Sequence, residues 1–126
     1  MMSSEGAMRV TVAICSRRTE AGYVVSSFDE CTTVVIASTQ DKLISGAVSL
    51  DSTSSQPRLD KVAKIREASP TAVIASEIDP YSLVSLSAKG IEVRLVDDGV
   101  AVEAALQLYR DNKAHLACGV VRPTKN

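Results

Sequence analysis

Two cysteines are the residues of this sequence whose type and position best suit chemistry. Cys15 closes the apolar run MRVTVAIC, and Cys31 stands just before the apolar run TTVVIAS. Thiolates are soft ligands that hold copper, zinc and iron–sulfur clusters. Small buried cysteines beside strands also serve simply as packing residues, so ligation and packing both stay open for this pair. A metal site, if the chain has one, is expected on Cys15 and Cys31.

The sequence has few other side chains that could bind a soft metal. Three cysteines without close spacing fit a reducing compartment better than a disulfide framework. Cys118 lies in the C-terminal tail and His115, the single histidine, follows the last predicted helix, so both are expected to be incidental.

Arg17 and Arg18 follow the first apolar run, where they either meet an anion or a partner protein or are simply solvated.

The segment Ser76-Glu77-Ile78-Asp79-Pro80 joins a predicted strand to a predicted helix. Asp79 is a favourable N-cap and Pro80 a favourable first residue, a combination that stabilises the helix start by ~1 kcal/mol. A helix N-terminus carries partial positive charge that attracts anions. Because Glu77 and Asp79 put like charge into that field, the turn is predicted to be a good cap and a poor cradle for an anion.

Length and composition predict one domain and exclude several functions. At 126 residues and 45% hydrophobic, the chain has room for one core, predicted over residues 8–112, with a flexible start at 1–7 and a tail at 113–126. A net charge of −1, scattered basic residues and 3% aromatics argue against a nucleic-acid binder. The absence of a membrane-length apolar run and of a signal-peptide pattern indicates a cytoplasmic protein.

The hydrophobic pattern predicts the order βββαβαβα. Alternation and β-branched residues indicate strands, and 3.6-residue periodicity indicates helices. The polar stretch Arg17–Val25 is predicted to be a loop. The predicted elements are strands at Met8–Cys15, Thr32–Ser38, Leu43–Leu50, Ala72–Ala75 and Glu92–Val96, and helices at Arg58–Ala68, Tyr81–Ala88 and Val100–Asp111.

These elements predict an α/β fold with a mixed five-stranded sheet and helices on both faces. The first strand is expected between an antiparallel neighbour, the second strand, and a parallel one, Ala72–Ala75. In such sheets ligands gather outside the carboxyl ends of strands. That edge should receive both thiols together with the segments Asp51–Pro57, Ser76–Pro80 and Asp97–Gly99.

Four stretches resemble the dinitrogenase iron–molybdenum cofactor biosynthesis family, of the NifX and NifB C-terminal type. They are MRVTVAI, SSFDECTTVVIAS, AVIASEIDPYSLVSLSAKGIEVRLV and GVAVEAALQLY, which together cover Met8 to about Asn112. The resemblance implies a ribonuclease-H-like fold. It also implies a role in nitrogen fixation as a carrier of metal–sulfur cofactors, with an iron–sulfur or iron–molybdenum type cluster as cargo and cofactor-assembly proteins as partners.

The chain departs from the family pattern at its ligand motifs. Where the family has His-Phe-Gly, this chain has Ser27-Phe28-Asp29, and the family's Gly-Gly-x-Gly-Pro turn is here Ser76 to Pro80. The glycine- and histidine-rich segment before the first helix is here DSTSSQP. The residues expected near a cofactor are Cys15, Ser27, Phe28, Cys31, Ser76, Glu77 and Asp79, with Cys15 and Cys31 as the metal ligands.

Two other functions stay open beside a non-catalytic carrier. A protein-interaction module that has lost metal binding fits the missing histidine and glycines. A ribonuclease-H-like nuclease needs carboxylates that converge on metal ions. Asp29, Glu77, Asp79 and Asp97 are the candidates for that set, but the first strand has no carboxylate and no basic surface accompanies them. A cysteine nucleophile has only the remote His115 as a base, so we expect no catalysis. The oligomeric state stays open.

Overall fold

A computed structural model describes residues 11–38, 43–49 and 57–117 of the chain. The predictions for residues 1–10, the turn at 40–42, the linker at 51–56 and Cys118 lie outside the described residues. So does the part of the tail from 119 to 126.

The described strands form one mixed sheet. Six of them lie in the order β4-β3-β1-β5-β6-β7, and β2 pairs with β1 beside this path. The strands β2, β3 and β4 run antiparallel to their neighbours, whereas β1, β5 and β6 are parallel to one another. The bounds are β1 Thr11–Thr19, β2 Gly22–Val25, β3 Thr33–Ser38, β4 Leu43–Ser49, β5 Ala72–Ala75, β6 Glu92–Leu95 and β7 His115–Leu116.

The predicted position of the first strand inside the sheet is confirmed. Cys15 of β1 pairs with Val34 of β3 on the antiparallel side. Ile14 pairs with Ile74 of β5 on the parallel side. Because both neighbours are present, β1 is buried from Val12 to Ser16.

The sheet has seven strands in the described ranges, not the five that were predicted. The loop predicted at Arg17–Val25 is wrong, because β1 continues to Thr19 and turns back into β2. Gly22, at φ +126°, allows the tight turn, and the Thr19 hydroxyl donates to its carbonyl oxygen at 2.8 Å. The seventh strand, β7, lies in the segment predicted to be a tail and pairs with β6.

Three helices in the described ranges cover both faces of the sheet, as predicted. They are α1 Pro57–Ala68, α2 Pro80–Ser87 and α3 Val102–Arg110. Side chains alternate along a strand, so β1 and β5 contribute to two separate apolar clusters. One cluster, on what we call the thiol face, contains Ala13, Cys15, Val73 and Ala75 and is covered by Val62 and Ile65 of α1 and Leu83 and Leu86 of α2. The opposite face carries Val12, Ile14 and Ile74 under Val102, Ala105 and Leu106 of α3.

The described helices are short. None of those in the described ranges combines the length and the apolar character that a bilayer crossing needs.

Asp79 caps α2 as the sequence predicts. Its carboxylate accepts from the backbone N–H of Ser82 at 2.9 Å, and Pro80 is the first helical residue. Asp79→Ala should therefore lower the free energy of unfolding by about 1 kcal/mol, whereas Asp79→Asn, which can still cap, should cost much less. Urea denaturation of both variants measures the difference. Equal stability of the alanine variant and the wild type would contradict this role.

Candidate functional site

Cys15 and Cys31 belong to the same apolar cluster on the thiol face. Both are free thiols, with exposed fractions of 0% and 4%. The Cys31 Sγ donates to the Thr33 carbonyl oxygen at 3.3 Å. The two thiols therefore share one buried cluster, and Cys15 lies inside β1 and not at its end.

The backbone brings Cys31 to this position. The Thr32 N–H donates to the Ser16 carbonyl oxygen at 3.0 Å, which joins the end of the 26–32 loop to β1. Within that loop, the Ser27 hydroxyl accepts from the Glu30 N–H at 3.1 Å and closes a turn. The Cys31 side chain then packs into the cluster of the thiol face.

Lys61 is a site residue that the sequence analysis missed. It lies on α1, is 8% exposed, and its Nζ donates to the carbonyl oxygens of Phe28 at 2.7 Å and Asp29 at 2.6 Å. The ammonium also lies 5.8 Å from the centre of the Phe28 ring. The sequence spacing could have indicated that Lys61 is buried. Lys61 is four residues before the buried Ile65, so the two residues lie on the same helix face, which packs on the sheet.

The pKa values of the two thiols are shifted in opposite directions. Hydrogen bonding with Cys15 lowers the pKa of Cys31, helped by the backbone of Ser16 and Thr33 and by the charge of Lys61, while burial opposes the shift. Hydrogen bonding with Cys31 raises the pKa of Cys15 well above its ordinary value, and burial acts in the same direction. Loss of a proton is therefore easier from Cys31 than from Cys15.

An acidic cleft lies at the carboxyl ends of the central strands. Its volume is about 390 Å³, and it is lined by Ser27, Glu30, Ser76, Glu77, Val96, Asp97 and Asp98. Two backbone hydrogen bonds hold its two main loops together, from Phe28 N–H to the Glu77 carbonyl oxygen at 2.8 Å and from Ser76 N–H to the Ser26 carbonyl oxygen at 3.0 Å.

Arg17 forms an ion pair with the rim of this cleft. The Arg17 guanidinium donates to both carboxylate oxygens of Asp98, at 2.9 and 3.3 Å. The sequence analysis left open whether Arg17 meets an anion, a partner protein or only solvent. In the structure it is paired with Asp98 of the same chain. Glu30, Glu77 and Asp97 are exposed around it, so the cleft carries an excess of negative charge, which disfavours an anion.

The predicted site residues fall into three places. Cys15 and Cys31 form the buried pair, and Phe28 is fully buried beside them in the same cluster. Ser27, Ser76 and Glu77 line the cleft, while Asp79 is used as a helix cap. His115 is exposed on β7, and no group of three or more histidine, cysteine, aspartate or glutamate side chains in the described ranges is placed to hold a metal ion.

Comparisons with known sequences gave no relatives. A scan against protein-family models found no match, and a search of curated proteins found none either.

Solved structures do resemble this one. A Thermotoga protein provisionally assigned as NifB and to the DUF35 family superposes with a TM-score of 0.70 at 20% identity, over 91% of this chain and 99% of that one. The apo form of the orange protein from Desulfovibrio gigas gives a TM-score of 0.72 at 17% identity, over 86% and 93%. A provisionally assigned dinitrogenase from Methanocaldococcus jannaschii gives 0.65 at 18%, over 88% and 97%. At these identities the likeness shows a shared fold.

Lys61→Met should destabilise the protein. The variant keeps the length of the side chain but removes the donor to the buried Phe28 carbonyl, which should cost roughly 1–3 kcal/mol. Lys64→Met, at an exposed position on the same helix, is the matched control and should change the free energy of unfolding little. Urea denaturation measures both, and equal losses in the two variants would show that the ammonium does not anchor the loop.

Proposed function

We propose that this protein is a non-catalytic carrier or accessory protein in metal–sulfur cofactor assembly, and that Cys15 and Cys31 hold its cargo. The observation that carries the proposal is the placement of these two free thiols in one buried cluster, where the charge of the buried Lys61 ammonium acts on both. Two such sulfurs are a donor set for a soft metal. A positive charge beside them offsets the negative charge that two thiolates would bring into the core.

The donor set limits which cargo fits. A closed structural zinc site takes four protein ligands. In the described part of the chain the thiol pair has no third such ligand placed with it. The pair therefore suits either a copper(I) ion held by two sulfurs or a cluster that brings its own sulfides, such as an iron–sulfur or iron–molybdenum species.

The finer assignments follow from the sequence resemblance and the names of the similar structures together. We propose a ribonuclease-H-like arrangement of the sheet and membership of the dinitrogenase cofactor family. Cofactor-assembly proteins are then the partners, and nitrogen fixation the setting. Two of the similar structures carry NifB or dinitrogenase in their names. Their fold and that of the orange protein are supporting evidence for this group of roles.

A second candidate is a protein-interaction module of the same fold that has lost metal binding. The acidic cleft favours it, because Glu30, Glu77 and Asp97 line it with negative charge that would repel an anionic cluster. A nuclease is weaker, since Asp79, one of the four carboxylates that would have to converge, is engaged as a helix cap.

Anaerobic reconstitution tests the proposal. Protein incubated with copper(I), with iron and sulfide, or with molybdate and sulfide should develop a charge-transfer absorbance with at least one of them. Replacing Cys15 and Cys31 together by serine should abolish that absorbance, because it removes both soft donors.

Two controls make the result specific. Cys118→Ser should retain the absorbance, and circular dichroism of the double variant should show a folded protein. A wild-type chain that develops no charge-transfer absorbance with any of the metals would move the assignment to the interaction module. A double variant that binds as well as the wild type would show that other residues hold the metal.

The negative charge of the cleft predicts that an anionic thiomolybdate and copper(I) respond differently to neutralisation of the cleft. Replacing Glu77 by Gln and Asp97 by Asn should strengthen binding of an anionic thiomolybdate by on the order of 1 kcal/mol, roughly fivefold, because like charge is removed. Copper(I) binding should not strengthen. Glu103→Gln on α3, at an exposed position of the opposite face, is the control. Equilibrium titration measures the affinities, and no gain for the thiomolybdate would show that the anion does not approach through the cleft.

A further inference from the structure

The outward face of α2 is apolar although it is exposed. The helix contains no charged residue over its whole length, Pro80–Ser87. Its inward side packs on the sheet through the buried Leu83 and Leu86, whereas Tyr81 and Val84 keep exposed fractions of 53% and 60%. Because residues three apart on a helix are neighbours, Tyr81 and Val84 form one exposed apolar surface, which we call the α2 patch.

The other helices of the described ranges, α1 and α3, turn charged residues to solvent. Lys64 and Glu67 of α1 are exposed, as are Glu103 and Arg110 of α3. Such a charged outer face is the ordinary pattern of a surface helix. Isolated exposed apolar residues are common, but α2 exposes two together on a helix that has no charge at all. This contrast indicates a surface that another molecule covers.

The α2 patch adjoins the acidic cleft. Helix α2 begins at Pro80, directly after the segment whose Ser76 and Glu77 line the cleft. Tyr81 is four residues after Glu77 in the chain. Their Cα atoms therefore lie at most about 14 Å apart, a distance that a few extended residues of a partner can span.

The charge of the cleft indicates what kind of partner fits. Glu30, Glu77 and Asp97 are exposed at the cleft, while Asp98 is paired with Arg17. A partner that covers both surfaces therefore needs apolar side chains for the patch and lysine or arginine for the cleft. A second copy of this chain fits less well, because a twofold contact over α2 would bring like charge together on both sides.

We propose that the α2 patch and the acidic cleft together form a docking surface for a basic segment of another protein. An apolar side chain of that segment packs on Tyr81 and Val84, and its lysine or arginine side chains pair with Glu77 and Asp97. An apolar centre that includes tyrosine, with a charged rim beside it, is the usual composition of a protein interface. The carboxylates speed association and fix the orientation of the segment.

The docking surface goes beyond the carrier function and uses neither of its sulfur donors. Its test therefore needs no metal. Absence of docking would leave metal binding by Cys15 and Cys31 standing, and absence of metal binding would leave the docking surface standing.

The experiment titrates metal-free, ¹⁵N-labelled protein with a synthetic peptide of lysines and leucines separated by serines. The amide signals of residues 77–84 and of Asp97 should shift in a saturable manner. A peptide with serine in place of leucine should bind several-fold more weakly, and a peptide with glutamate in place of lysine should not bind. Added salt should weaken the first complex, because it screens the charge pairs.

Variants of exposed residues separate the two parts of the surface. Val84→Ser should weaken the peptide several-fold, and Glu77→Gln with Asp97→Asn should weaken it and reduce its salt dependence. Leu116→Ser, at an apolar side chain of β7 that is 48% exposed, is the matched control for Val84. Glu103→Gln on α3 is the matched control for the carboxylates, and neither control should change the affinity. Circular dichroism of each variant keeps a folding defect separate from these outcomes.

Four results would overturn the proposal. The first is absence of peptide binding, and the second is equal affinity of Val84→Ser and the wild type. The third is a dimer of the free protein, detected by sedimentation, that Val84→Ser dissociates, because a second copy then covers the patch. The fourth is nuclear Overhauser contact in the free protein between the Val84 methyl groups and a distant segment of the same chain, because the chain then covers the patch itself.

Discussion

The candidate site depends on one buried ammonium. Lys61 reaches from α1 to the carbonyl oxygens of Phe28 and Asp29, and thereby ties the 26–32 loop to a helix that packs on the same face of the sheet. Burying a lysine is unfavourable unless its donors are satisfied. Here the carbonyls satisfy it, and the loop that supplies them carries Cys31 to β1.

The thiols and the acidic cleft are distinct parts of the site. Backbone hydrogen bonds join residues 26–28 to 76–77 at the cleft, whereas Cys15 and Cys31 belong with Phe28 to the buried cluster of the thiol face. Negative charge lines the cleft, where Arg17 offsets part of it. An anionic cluster that approaches through the cleft has to move against this charge.

The local patterns predicted much of the fold and less of the site. The order of the central strands follows from β-branched apolar runs, and the cap at Asp79 follows from local turn chemistry. The extension of β1 beyond Cys15 was missed because Arg17 and Arg18 lie where the strand leaves the core, so burial no longer imposes an apolar pattern. Lys61 was missed because its partners are backbone carbonyls, which no side-chain motif reveals. The pairing of Arg17 with Asp98 joins residues 81 positions apart, and only the folded sheet brings them together.

The most direct test of the account is X-ray absorption at the copper edge of protein loaded anaerobically with copper(I). If Cys15 and Cys31 form one donor pair, the first shell consists of two sulfurs and is lost when both cysteines are replaced by serine. A first shell of nitrogen or oxygen in the wild type would contradict it. An unchanged sulfur shell in the double variant would contradict it as well.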